Sequence, residues 1–457
     1  MNEPATGSMQ VDSHHMLRRW IYGLIITAAV SLQLVHIVTV TKLYNPREKW
    51  PKNPVHSPLL SANDRSRWCT VWSLAERGTF QIDEIIRRPG WNSIDKVLKD
   101  GHFYSSKPPL LTVGVAGLYW GLKRVTGMDL LRQTHGVVQS ILLIVNLVPF
   151  AISLVLISRM VDRYAKQDAT RVFVVFAAAF ATFLGTFLNT FNNHTVAANC
   201  VLWSLCPALR VLTGGARRWY WFGLSGFFAA LAVANEFPAA VFLAGIGLLL
   251  WRADWKLTLQ AFLPAALVPM ALHFGLTMLQ TGSLKPFYAS FGTEMYNFPG
   301  SYWLNPQGVD RNLDPPWLYF IHCIIGHHGI FSLTPIFLLS LWGWLRRPST
   351  IPSDIRPVNY LSLACTVVVM AFYMTRTAQY NFGGVTSGLR WTFWLTPLWL
   401  WSMIPVLDQG LSSAWFRRAC LAMLAVSVFS TTFPWNNPWT HPWLFDVLQQ
   451  SGWINYR

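Results

Sequence analysis

Residues 63–111, which open with N63-D-R-S-R-W68 and close with D100-G-H-F-Y-S-S-K-P-P-L-L111, decide how this chain must be read. The segment is rich in Asp, Glu, Arg, Lys and His. It follows directly on the first long apolar run of a very apolar protein. So many ionisable groups are costly to hold against lipid, so the segment must lie outside a bilayer or line a wet cavity.

The chain around it has 457 residues, 53% hydrophobic, 15% aromatic and only 12% charged, with a mean hydropathy of +0.32. A soluble protein carries about 25% charged residues. Apolar runs recur at 20–41, 108–122, 137–158, 171–190, 195–212, 219–234, 237–251, 257–279, 327–345, 358–375, 389–407 and 415–433. The expected fold is an all-α polytopic membrane protein with about 11–13 transmembrane helices and a large first extracytoplasmic loop. No cleavage pattern follows the first run, so 20–41 reads as a retained span. The short polar N-terminus, 1–17, reads as disordered.

The formal net charge of +16 suggests nucleic acid at first sight, but its placement does not. Basic pairs sit between spans: Arg18-Arg19, Arg217-Arg218, Arg346-Arg347 and Arg417-Arg418. Such pairs mark cytoplasmic loops and favour anionic headgroups as partners. The expected partner is the bilayer, with no nucleic acid. Working outward, residues 1–19 form a cytoplasmic tail and 20–433 the transmembrane domain. The loops 42–107 and 280–326 and the tail 434–457 lie outside. One conflict arises: the path from Lys107 to His135 must begin and end outside, yet only 108–122 is clearly apolar, so either that run is re-entrant or one neighbouring crossing is misread. The six cysteines include no CxxC pair and read as buried, inert thiols.

This topology gathers most loop-borne acidic and histidine groups on one face, the pattern of an outward-facing polar site. Asp64 could take a proton from an attacking hydroxyl, or pair structurally with Arg65 or Arg67. Lys107-Pro108-Pro109 holds a cation where an apolar helix begins, at the depth of a lipid phosphate; an interfacial snorkelling lysine is the plainer reading. In Y380-N-F-G-G-V-T-S-G-L-R-W391 the glycines permit close backbone approach, and Arg390 suits bidentate phosphate recognition. His194, in F-N-N-H-T, could bind substrate or metal, or be satisfied within a tight interhelical turn. Glu236 falls at the outer tip of the next hairpin. Asp83-Glu84 offers oxygen ligands for a divalent metal, though an adjacent acidic pair in a loop is ordinarily solvated. His327-His328 fits a metal pair poorly, because neighbours on a helix point about 100° apart.

Taken in order, these pieces resemble the GT-C superfamily of membrane glycosyltransferases. The likeness is greatest to its dolichyl-phosphate-mannose protein mannosyltransferase and aminoarabinose transferase branch. The matching residues are Asp64-Arg65-Ser66-Arg67-Trp68, Gly78-Thr79-Phe80, Tyr104-Ser105-Ser106-Lys107-Pro108-Pro109-Leu110 and Gly383-Gly384…Gly388-Leu389-Arg390-Trp391. The resemblance implies a GT-C-like helical bundle and transfer of a sugar from a polyprenyl-phosphate-linked donor to an acceptor lipid, protein or cell-envelope glycan. It implies Asp64 as catalytic base in an inverting displacement, Lys107 near the donor phosphate and Arg390 assisting it. Arg67, Tyr104, His194, Glu236, Lys285 and Arg376 are further substrate-binding candidates. No cofactor is required by these motifs, and a divalent metal is allowed for. The expected location is a bacterial inner or plasma membrane, multi-pass, with the active site extracytoplasmic. The chain departs from larger members in lacking a sizeable soluble C-terminal domain, which leaves acceptor recognition to the outer loops. The alternative from another class is a transporter or flippase for a lipid-linked sugar or anionic solute, whose polar groups would sit in broken helices near the midplane.

Overall fold

The computed structural model describes residues 6–43, 56–346, 353, 355–376 and 381–456. It is helical nearly throughout, as the long apolar runs require of a chain that must satisfy its own backbone in lipid. Six helices are long and apolar enough to cross a membrane by length and composition. They are α1 (Thr6–Thr39, apolar from Met16), α4 (Thr134–Tyr164), α5 (Asp168–Thr186), α6 (His194–Leu212), α9 (Trp255–Thr281) and α12 (Arg356–Met374). Between their ends run α7 (Trp219–Asn235), α8 (Phe237–Ala253), α11 (Pro335–Leu345), α13 (Thr396–Gly410) and α14 (Ala414–Thr432). Shorter helices are α2 (Ala62–Arg77), α3 (Pro109–Thr126), α10 (Pro316–Ile324) and α15 (Trp443–Gln450).

The bundle has two chemically distinct ends. At one, Arg18 on α1 is ion-paired to Asp162 (2.9 Å) and Asp168 (2.6 Å), where α4 turns into α5. Asp408 at the end of α13 accepts from the Lys166 and Gln167 backbone, Arg346 bonds Gln409, and Arg217 sits 4.0 Å from Asp254. Arg347, the second member of its pair, lies outside the described residues. The opposite end collects the close of α1, the start of α6, the α7–α8 junction and the first residues leading into α13.

Three expectations change. Helix α1 already begins at Thr6, so the polar stretch read as disordered is helical from that point. The run 327–345 is not one helix: Ile330–Leu333 ends at Thr334 and α11 starts afresh at Pro335, because proline disfavours helical backbone in the residue before it. The run 108–122 becomes α3, which does not cross alone. Its start meets α2 through Ser105–Ser66 (2.6 Å) just upstream, and its Tyr119 and Lys123 bind Glu76 at the far end of α2 (2.7 Å each). Hence α3 lies lengthwise along α2 in one layer. Leu118, Trp120 and Val125 stay exposed on it beside Lys123 and Arg124, the make-up of an interfacial amphipathic helix. Early in α4, Gln139 donates to the Val38 carbonyl at the close of α1 (2.9 Å), so the chain is back at the end of the bundle it left before α3, as the outward-to-outward path requires.

Candidate active site

Two local devices build the site. The first is the capped start of α2. Ser61 accepts the Asp64 N–H (3.1 Å), while the Asp64 carboxylate accepts the N–H groups of Leu60 (3.0 Å) and Ser61 (3.4 Å), a reciprocal capping box. The second is a hairpin that the sequence spells clearly. Strand β1 (Lys96–Lys99) pairs antiparallel with β2 (His102–Ser105) across Asp100-Gly101, both at positive φ as a tight two-residue turn demands. It brings Asp95 back beside Ser106-Lys107, and Lys107 Nζ lies 3.0 Å from the Asp95 carboxylate. Ser66 donates to the Asp95 carbonyl (2.5 Å), tying hairpin to α2.

These devices open onto a cavity of about 500 Å³ at the end of the bundle remote from the arginine pairs. That size falls within the ~300–1,000 Å³ range of small-molecule sites. Four cations from distant parts of the chain line it: Lys42, which is exposed at the rim, and the buried or half-buried Arg67, Lys107 and Arg390. Arg67, one turn into α2, is held by the side chains of Asn63 and Asn193. Arg390 donates to the Gly383 carbonyl (2.7 Å), lies 3.3 Å from His194 Nε2 and stacks over Trp439 at 4.6 Å. Gly383 has φ +87, and a Cβ there would stand 2.8 Å from Arg390 Nε, so glycine is what lets the turn close on the guanidinium.

One polar chain joins the cations. Asn193 accepts from Arg67 and donates to Glu236 (2.6 Å), and Glu236 pairs with His194 Nδ1, whose other nitrogen faces Arg390. With Arg390 donating to Nε2, neutral His194 carries its proton on Nδ1 toward Glu236. Burial pushes the Lys107 ammonium down to about 8, with Asp95 opposing and Arg67 and Arg390 adding to the fall. Burial likewise brings Arg67 down to about 10, the Arg390 cation contributing. Each is a cation held at a cost that a bound anion would relieve.

Among the other candidates, Glu236 and His194 line the cavity. Asp64 does not. It is 1% exposed and faces the α2 cap behind the wall formed by Ser61, Ala62, Asn63 and Arg67; burial raises its carboxyl to about 7, against the Arg65 charge and the two cap N–H groups. Tyr104 is packed on Phe287 (5.5 Å) within the hairpin. Lys285 and Arg376 are exposed and outside the cavity, Arg376 over the Phe372 ring. Asp83 accepts from the Phe103 N–H and contacts His102, and Glu84 pairs with Arg77, so neither faces the cavity. Tyr380, quoted in the glycine-rich turn, lies outside the described residues.

Three groups of the cavity were not singled out by sequence as site residues, although two of them, Asp95 and Asp310, fall among the outward-facing ionisable groups. Asp95 and Asp310 are cavity carboxylates; Asp310 accepts from Tyr302 (2.8 Å) and Asn381 (2.6 Å), and burial raises it. An aromatic wall of Tyr288, Phe291, Tyr296 and Trp303 comes from the second outer loop, which is fastened to the first by Leu98 N–H to Met295 (2.9 Å) and Trp303 Nε1 to Ile94 (3.1 Å). The Asp100-Gly101 turn between alternating strands was the signal that would have placed Asp95 next to Lys107.

No family model matches the chain, and no curated protein matches it. Among solved structures, it is similar to the archaeal oligosaccharyltransferase AglB from Archaeoglobus fulgidus, in complex with an inhibitory peptide and a dolichol-phosphate. The TM-score is 0.47 at 11% identity, over 96% of this chain and 58% of that one, so the chain spans less than two thirds of that protein's length.

Proposed function

We propose that this chain is a membrane glycosyltransferase of the GT-C type, moving a sugar from a polyprenyl-phosphate-linked donor to a hydroxyl of a lipid, protein or cell-envelope glycan on the extracytoplasmic face. The observation that carries the reading is the meeting of Arg67, Lys107 and Arg390 in one cavity beside the interfacial helix α3. A lipid phosphate lies at the depth such a helix occupies, and three preorganised cations stabilise a phosphate leaving with the electrons of the glycosidic bond. The aromatic wall offers apolar surface to a sugar ring. The arginine pairs at the far end favour that end as cytoplasmic. The cavity's ionisable groups lie at one end of the bundle rather than midway along it, which favours transfer over transport.

In the displacement, the acceptor oxygen bonds the anomeric carbon, the carbon–phosphate oxygen bond breaks, and the hydroxyl proton passes to a carboxylate. We assign that proton to Asp95, whose carboxylate already faces the cavity and which Lys107 releases on engaging the donor phosphate. A second reading keeps Asp64, favoured by its carboxyl near 7 and by the motif resemblance, and requires it to leave its cap.

The test uses detergent-purified protein and a synthetic polyprenyl-phosphate sugar. Lys107→Ala and Arg390→Ala should each weaken donor affinity about 10- to 100-fold, the worth of one charge-assisted hydrogen bond. Unchanged donor affinity in both would remove the phosphate site. Asp95→Asn should bind donor at least as tightly yet turn over about 10²-fold or more slowly. If instead Asp64→Asn alone stops turnover while the fold and donor binding persist, the base is Asp64.

A further inference from the structure

Away from the cavity, a histidine-rich knot joins three separate segments. Asp314 precedes α10, His322 lies in its last turn, and His327 sits in the turn after it. A ligand atom from each lies within 4.8 Å of the other two. His322 and His327 are both more than nine-tenths buried, and His322 Nδ1 has no hydrogen-bond partner. The two rings lie face to face, 4.0 Å between centroids. Glycine at 326 makes room, since a Cβ there would fall 2.3 Å from His322 Nδ1.

The protons of this knot do not balance. His328 Nε2 lies 3.0 Å from the Thr386 carbonyl, so it must donate, and neutral His328 then presents a lone pair at Nδ1. His327 Nδ1 faces that atom and must donate in turn, leaving a lone pair on His327 Nε2. That lone pair faces the Tyr456 hydroxyl at 3.0 Å, but the same hydroxyl lies 2.6 Å from the Asp314 carboxylate. One hydroxyl proton cannot serve both acceptors. The knot therefore holds a carboxylate, the His327 Nε2 lone pair and an unpartnered His322 Nδ1.

We propose that Asp314, His322 and His327 bind a divalent ion of the zinc class, as a structural site distinct from the cavity. Two imidazoles and one carboxylate suit zinc-like ions over magnesium or calcium, which favour all-oxygen shells. An ion about 2.1 Å from each ligand needs the three donors to close by about 1 Å. The His327–His328–Thr386 relay is the outer-shell arrangement that fixes a ligating imidazole's tautomer. By way of Thr386 and Tyr456, the ion would fasten the 381–388 turn and the C-terminal tail to the second outer loop.

The experiment takes the full chain in detergent, incubates it with Zn²⁺ alone, desalts it and measures bound metal. About one equivalent should remain, and chelation should lower the melting temperature, with Zn²⁺ but not Mg²⁺ restoring it. His322→Ala and Asp314→Asn should retain less than about a tenth of an equivalent. Should a variant unfold, Co²⁺ loading of the unaltered chain supplies the second readout: a visible ligand-field spectrum of a low-coordinate nitrogen–oxygen site. The proposal is overturned if the unaltered chain retains no Zn²⁺, if both folded variants retain it in full, or if the Co²⁺ spectrum is that of the free aqueous ion.

Discussion

Lys107 shows how one residue can set a working range. Because burial brings its ammonium to about 8, it is a cation below that pH and neutral above it. On the proposed reading, donor KM should rise as pH climbs through 8, and a Lys107→Arg variant, charged at all these values, should lose that dependence. A KM that is flat from pH 7 to 9 in the unaltered protein would count against the phosphate contact. Asp64 acts in the opposite sense on stability. Its folded value, near 7, lies above the ordinary 3.8, so the folded state binds the proton more tightly. That contribution is complete below about 3.8 and lost as pH rises through 7. The melting temperature of Asp64→Asn should therefore gain on that of the unaltered chain between pH 4 and 8, by a margin worth about 1 kcal/mol or more. A constant difference across that range would place the Asp64 carboxyl at its ordinary value.

At the scale of elements, the glycine turn and the hairpin act as clamps on the cations. Gly383→Ala forces an L side chain to φ +87 and against Arg390 and Trp391. It should cost about 1–2 kcal/mol of stability and weaken donor binding as Arg390→Ala does. Thermal unfolding and donor titration would check this, and full donor affinity in the variant would show that Arg390 does not depend on the turn. What the sequence revealed at this level follows from range. Lys107-Pro108-Pro109 was legible because proline acts on its own backbone, and it does open α3. The crossing status of α3 was not legible, because hydropathy cannot tell a helix lying on α2 from one spanning lipid. That α3 lies along α2 is seen only in the Glu76 contacts with Tyr119 and Lys123. The Asp95–Lys107 pair depended on a tight turn that local chemistry did spell.

For the whole molecule, the helical class was readable from apolar runs alone, since membrane crossing makes length and composition a local requirement. The site was not readable in the same way. Glu236 was marked by its place at a hairpin tip, but Asn193, Asp310 and the aromatic wall reach the site only through the packing of α6 and the second outer loop, and no short pattern encodes that. His327 and His328 were read as helical neighbours pointing apart, but a turn after α10 lets their ring nitrogens meet. The two-ended bundle predicts that cysteines placed at Val385 and at Arg217 react with impermeant reagents from opposite sides of intact vesicles; labelling of both from one side would break the arrangement. Helix α3, with apolar side chains and cations on its surface, carries one more consequence. On the proposed function, a donor whose isoprenoid stays in the hydrocarbon layer while its head group reaches the cations is met by the protein as a two-dimensional solution. Turnover should then track the mole fraction of donor within the micelle or bilayer, and adding inert detergent at constant total donor should slow it.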